Sequence, residues 1–189
     1  MRANRKHEAI IYWLLPAKDE RELFCDIIRI LCKQFDAPNF EPHLTLLSTA
    51  VDREARNNRE LPRPARSPKM ILRSINSGPI HVDVRNVAFS ADFSKTLFVR
   101  FEPNKALHNL VADLGRAGNI RASNIRDPHV SLLYDRISSM VKKELAATIK
   151  LPFREVVFDR IAAVRSAAPI KTAADVEAWE IIASKALGV

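Results

Sequence analysis

The chain predicts an α+β domain of two similar lobes, on three observations. A six-residue phrase is written twice, as Pro42-His43-Leu44-Thr45-Leu46-Leu47 and as Pro128-His129-Val130-Ser131-Leu132-Leu133. Each copy stands at nearly the same interval behind a proline that closes an apolar, strand-like run, Leu14-Leu15-Pro16 in the first half and Phe101-Glu102-Pro103 in the second. Between each proline and its phrase lies a run of apolar residues at helical spacing. Each half therefore reads strand, proline, helix, loop, strand. A duplication of this length is too long for a solenoid repeat and is natural for a two-lobed domain.

The elements follow in order. Glu8–Leu15 is a β-branched and aromatic run, a strand by composition. Pro16 ends it, and Asp19 or a neighbour is positioned to cap the next helix. From Arg21 to Phe35, Leu23, Phe24, Ile27, Ile28, Ile30, Leu31 and Phe35 recur three and four residues apart, which is an amphipathic helix. The first phrase follows as a strand that its proline can only begin or edge. Residues 49–68 form an arginine-rich connector with Pro62, Pro64 and Pro68, with a short helix expected near Asp52–Asn58. It reads as a solvated surface loop, or as a basic flap that meets phosphates. Strands are expected over Ile80–Ser90 and Thr96–Phe101, joined by a hairpin at Ala91–Lys95. A helix over Asn104–Arg116 stops near Gly118, the second phrase forms a strand, and Ser138 or Ser139 caps a helix reaching about Ile149. Two strands close the chain, Phe153–Arg165 and Glu177–Ala183, around a loop containing Pro169.

The chain has 189 residues, which suits one domain of two small lobes over 1–189, and its 47% apolar content excludes global disorder. A net charge of +8 favours an anionic partner such as a nucleotide or nucleic acid. Cys25 and Cys32 fall on one helix face about 10.5 Å apart along the axis, too far for a disulfide. Reduced thiols suit a cytoplasmic protein. The apolar run from Ala9 to Leu15 is too short to span a membrane.

The chemistry lies in the phrase. Residues i and i+2 of a strand share a face, so His43 goes with Thr45 and His129 with Ser131. If the strands lie side by side, two imidazoles and two hydroxyls converge. Two histidines across one phosphorus permit concerted acid–base catalysis, and the hydroxyls can donate to its non-bridging oxygens. The plain alternative is a pair of buried histidines in similar core strands. Neither phrase offers the three or four ligands that zinc requires, so no metal or cofactor is expected. Asp127 reads as a surface or turn residue.

The paired Pro-His-Leu-Thr and Pro-His-Val-Ser motifs resemble the two His-x-Thr/Ser signatures of the two-histidine (2H) phosphoesterase superfamily. Trp13-Leu14-Leu15-Pro16 and Leu132-Leu133-Tyr134 are similar to its plant and bacterial cyclic phosphodiesterase branch, and the resemblance runs from about residue 9 to 184. It implies a bilobal α+β fold of two antiparallel sheets with pseudo-twofold symmetry, flanked by helices, with a cleft between the sheets. It implies metal-free opening of a cyclic phosphate on a nucleotide, an ADP-ribose derivative or an RNA end. His43 and His129 become the catalytic pair, with Thr45 and Ser131 on the phosphate. Tyr134 matches a tyrosine of the cleft, although strand parity turns it away from His129 unless the strand bulges. Trp13 matches an aromatic that stacks on base or ribose, or is a half-buried strand residue. The competing readings are an RNA 2′,5′-ligase-like or RNA-end phosphodiesterase, and a non-catalytic RNA- or nucleotide-binding module. The expected state is a monomer.

Overall fold

A computed structural model describes residues 7–49, 66–122 and 125–188. Seven antiparallel strands lie in one sheet: β1 (His7–Pro16), β2 (Leu44–Ser48), β3 (Ile80–Phe89), β4 (Leu97–Phe101), β5 (His129–Leu133), β6 (Glu155–Ala168) and β7 (Glu180–Ala186). Their order is β1-β2-β5-β4-β3-β6-β7, and β6 also pairs with β1. The antiparallel α+β class holds, but the two expected sheets are hydrogen-bonded into one. The physical reason is the length of β6. It carries β1 along His7 to Pro16 on one edge, while its other edge takes β3 at Glu155–Phe158 and β7 at Arg160–Arg165.

Five α-helices cover the sheet: α1 (Lys18–Phe35), α2 (Pro68–Ser74), α3 (Lys105–Gly118), α4 (Ser139–Thr148) and α5 (Ala173–Glu177). In α1 the buried residues are Phe24, Ile28, Leu31 and Cys32, whereas Ile30, expected on the apolar face, is 60% exposed. Its N-cap is Ala17, without a side-chain bond, and Asp19 falls within the first turn instead of capping it. Asn104 caps α3 by accepting from Leu107 N–H at 3.0 Å, and Ser138 caps α4. Gly115 of α3 is required for close approach, because a Cβ there would stand 2.7 Å from that of Ala122. Helix α1 packs on β5 and α3 on β2, so each half lays its helix on the strand of the other.

Two helices have no counterpart in the sequence reading. Ser67 and Pro68 start α2, and Thr172 with Asp175 forms a capping box on α5. The α5 helix also displaces the last strand to Glu180–Ala186, beyond the expected Glu177–Ala183. The helix expected near Asp52–Asn58, and most of the arginine-rich connector, lie outside the described residues. No helix among the described residues is long and apolar enough to cross a membrane.

The doubled leucines that close each phrase violate strand alternation, and the ladders show why. Tyr12 pairs with Leu47 and Trp13 with Thr45, so β2 carries one extra residue there; Leu97 pairs with Leu133 and Phe98 with Ser131, so β5 does too. Each is a β-bulge that turns two successive side chains to one side. Leu46, Leu47, Leu132 and Leu133 are all buried in the same core. The shared register also matches Trp13 with Phe98, so the prolines at 16 and 103 are not structural equivalents. Leu132→Ala and Leu133→Ala should each cost about 2–5 kcal/mol in urea unfolding. A regular strand would instead leave one of the two tolerant.

Candidate active site

Leu44 of β2 pairs with Val130 of β5. Carried one residue either way, this register sets His43 opposite Ser131 and Thr45 opposite His129. Directly opposed residues project to the same side of a sheet. Leu44 and Val130 are wholly buried towards the helices, so His43, Thr45, His129 and Ser131 share the other face. The four residues expected to converge are therefore brought together.

Each histidine is held by the same bond. His43 Nδ1 lies 2.7 Å from the carbonyl oxygen of Glu41, and His129 Nδ1 lies 2.9 Å from that of Asp127. A carbonyl only accepts, so Nδ1–H donates in both and Nε2 is the nitrogen left to exchange protons. His43 is 5% exposed, and its ring stacks on the Trp13 indole at 3.6 Å. Burial depresses its pKa to about 4, against a partial upward pull from the Glu41 carbonyl, and the charge of His129 lowers it further. Burial also lowers His129, opposed by the Asp127 carbonyl, with Lys95 pushing the same way as burial. Both imidazoles are thus biased towards the neutral form.

Tyr134 follows the β5 bulge, which reverses the parity of the strand and returns this side chain to the face of Ser131. The two hydroxyls share a hydrogen bond, and burial raises the phenol to about 12, so it stays protonated. Thr96 Oγ1 fixes the adjoining backbone by donating to Asp135 O at 2.6 Å. The hydroxyls differ in setting. Ser131 is buried, whereas Thr45 is exposed. Trp13 is 2% exposed with one face covered by His43, so it supports the imidazole and offers no open face for a base.

The halves differ around this shared frame. His43 lies among aromatic rings: besides Trp13, Phe40 at 6.4 Å and Trp179 at 5.3 Å. Trp179 also contacts Tyr134 edge-on and donates through Nε1 to Ser166 Oγ at 3.0 Å. His129 lies among charges. Lys95 and Arg100 both pair with Asp127, and both cations lie over the Phe98 ring, at 4.4 and 5.4 Å. Arg100 Nε is 2.9 Å from Asp127 Oδ1 but off line for a hydrogen bond, so that buried nitrogen lacks a hydrogen-bond partner. Asp127 is therefore not a plain turn residue. Its first-half counterpart is Glu41, whose carboxylate accepts from Arg21 Nε and Nη2. The repeat is in fact acid-Pro-His: the acid is anchored by a cation through its side chain and holds the imidazole through its carbonyl. That signal was present in the sequence as Glu41-Pro42-His43 and Asp127-Pro128-His129. Trp179 had none beyond its residue type. Among the described residues no three His, Cys, Asp or Glu side chains are grouped to hold a metal ion.

The fold recurs in solved structures of known proteins. The protein TT0787 of Thermus thermophilus superposes with a TM-score of 0.53 at 16% identity, covering 95% of this chain and 97% of that one. LigT of E. coli gives 0.50 at 16% identity, over 96% and 98%. A crystal structure described as a phosphoesterase gives 0.51 at 14%, over 96% and 99%. At these identities the likeness shows the fold alone. No curated protein sequence matches the chain. The family model described as cyclic phosphodiesterase-like protein matches residues 9–187, and with the two acid-Pro-His strands inside that span the chain belongs to the cyclic phosphodiesterase-like family.

Proposed function

We propose that the protein hydrolyses a cyclic phosphate on a nucleotide-type substrate to a phosphomonoester, without a metal, by two-histidine acid–base catalysis. The observation that carries this reading is the matched pair of Nδ1–carbonyl bonds, which leaves two Nε2 atoms free on one face. Family membership supports the reaction class. E. coli LigT has been crystallised with ATP and with 3′-AMP, which supports a nucleotide-type ligand.

In this reading His129 Nε2 takes a proton from water as the water oxygen bonds to phosphorus. The ester bond to one ribose oxygen breaks, and His43 Nε2 protonates that oxygen; solvent exchange then restores both rings. Lys95 and Arg100 disfavour an imidazolium at His129, which suits a base. The indole beneath His43 favours a cationic ring through its π face. An entering phosphate anion raises both histidines from their depressed values, which makes a proton on His43 accessible. Thr45 and Ser131 donate to the non-bridging oxygens, and Tyr134 orients the water.

The test is a panel of 2′,3′-cyclic nucleotides, ADP-ribose 1″,2″-cyclic phosphate and cyclic-phosphate-ended RNA, with products identified by phosphorus NMR. Turnover should survive EDTA; loss restored by a divalent ion would defeat the metal-free reading, and no turnover of any member would defeat the reaction. Thr45→Ala and Ser131→Ala should each raise the barrier by about 2–4 kcal/mol. Only Ser131→Ala should also lower stability, because it leaves the Tyr134 phenol unpaired.

The pH profile has a definite sign. Both histidines are depressed from 6.5, so the pair carries one proton most often below pH 6.5. The kcat/KM profile should be a bell centred there, its limbs belonging to the coupled pair. A centre above about pH 7 would contradict it. With a much better leaving group, His43→Ala should recover most of its lost rate and His129→Ala should not. Rescue of His129→Ala alone would reverse the two assignments.

A further inference from the structure

The aromatic strip beside His43 continues into a cavity that the reaction does not use. Trp13 and Leu15 lie two residues apart on one face of β1, packed with Ile11, Ala162 and Val164. Leu15 pairs with Arg160 across to β6, which places Arg160 on that face too. There Leu15, Pro16, Lys18, Arg21, Asp159, Arg160, Ile181 and Ser184 line an open cavity of about 340 Å³. The register of β1 and β2, continued one residue past the Leu14–Leu44 pair, sets Leu15 beside His43. Two strand spacings, about 10 Å, then separate the backbone of Arg160 from that of His43.

The charges of the cavity are unbalanced. Arg21 is neutralised by its two bonds to Glu41. Lys18 and Arg160 are exposed, and neither side chain has a hydrogen-bond or ion-pair partner among the described residues. Asp159 is the one carboxylate in the lining. The remaining balance is positive, and a planar guanidinium beside a mobile ammonium and the Ser184 hydroxyl is a donor set matched to phosphate oxygens. Its volume falls at the small end of ligand sites, enough for a phosphate with part of a sugar.

We infer that this cavity receives a second phosphate group of the substrate, carried on the leaving-group side. This rests on the proposed reaction, in which His43 protonates the leaving ribose oxygen, so the rest of the substrate extends from His43 towards Leu15 and Arg160. The substrate class is then a cyclic phosphate on a nucleotide that also bears a 5′-phosphate, whether as a monoester, a pyrophosphate or the next link of a strand.

Calorimetric titration tests the cavity independently of turnover. The probes are 3′-AMP against adenosine 3′,5′-bisphosphate, and 2′-AMP against the 2′,5′-bisphosphate. The 5′-phosphate should tighten binding by about tenfold in at least one pair, with the gain shrinking as salt rises. Arg160→Ala and Lys18→Ala should each remove most of that gain while leaving the monophosphate within about twofold. Both residues are exposed, and an unchanged melting temperature would confirm that the variants fold. A 5′-pyrophosphate form and a dinucleotide with a terminal phosphate then distinguish the sources, by which gains further over the bisphosphate. No gain from the 5′-phosphate, or a gain that survives in the double variant, overturns the inference; so does failure of the wild type to bind any of these ligands. Turnover of 2′,3′-cyclic AMP judges the underlying reading separately. Turnover without the gain removes the cavity alone, and the gain without turnover removes the reaction alone.

Discussion

The site depends on how β2 lies against β5. One described rung, Leu44 opposite Val130, sets which side chains face each other. A slip of one residue would turn His129 and Ser131 into the helix-covered core and bring Val130 out beside His43. The penalty against that slip is large, because Leu44, Val130 and both leucine pairs are buried. Burying one such side chain contributes about 1.5–3 kcal/mol. The helices reinforce the register, since α1 rests on β5 and α3 on β2. The two halves thus clamp their shared seam from behind.

The motif itself was legible in the sequence, and so were the longer helices and most strands, because periodicity and a repeated frame are local signals. What was not legible came from longer range. Nothing in residues 155–168 announces that one strand will pair on both edges and join the two expected sheets. The bulges could be inferred only in hindsight, from the consecutive leucines that alternation cannot bury together. Once they are placed, the parity objection to Tyr134 falls away. Trp13 and Phe98 are equivalent by ladder and not by sequence spacing, which is why the prolines misled. Trp179 enters from a short helix and a turn that carry no periodic pattern, and chain proximity could not have placed it beside His43.

Near-symmetry of the frame makes the asymmetry of its surroundings informative. Both halves use an acid two residues before the histidine, and both anchor it with arginine. In the first half the anchor Arg21 comes from α1, and the face beyond it is aromatic. In the second the anchors Lys95 and Arg100 come from beside and within β4, and they stand over Phe98. Duplication supplied two equal imidazoles; the flanking strands made their environments unequal. Identical surroundings would give two histidines with interchangeable proton affinities, and the proposed acid and base roles rest on that difference.

Burial of His43 has a cost that bears on how such a site would work. An imidazole displaced from 6.5 to about 4 resists protonation by roughly 3 kcal/mol. A permanent carboxylate beside Nε2 would relieve that resistance but would also compete with phosphate for the same volume. Among the described residues no acid forms an ion pair with either ring; Glu41 and Asp127 give their carboxylates to arginine and lysine and hydrogen-bond the rings through their carbonyls, although the Asp127 carboxylate also pulls His129 upward through space. In the proposed reaction the remaining compensating charge arrives with the substrate phosphate. An anion seated between the rings favours protonation of both, while their mutual repulsion limits them to one proton at a time. In the proposed reaction the bound phosphate anion thus brings the pair closer to the singly protonated state that acid–base chemistry requires.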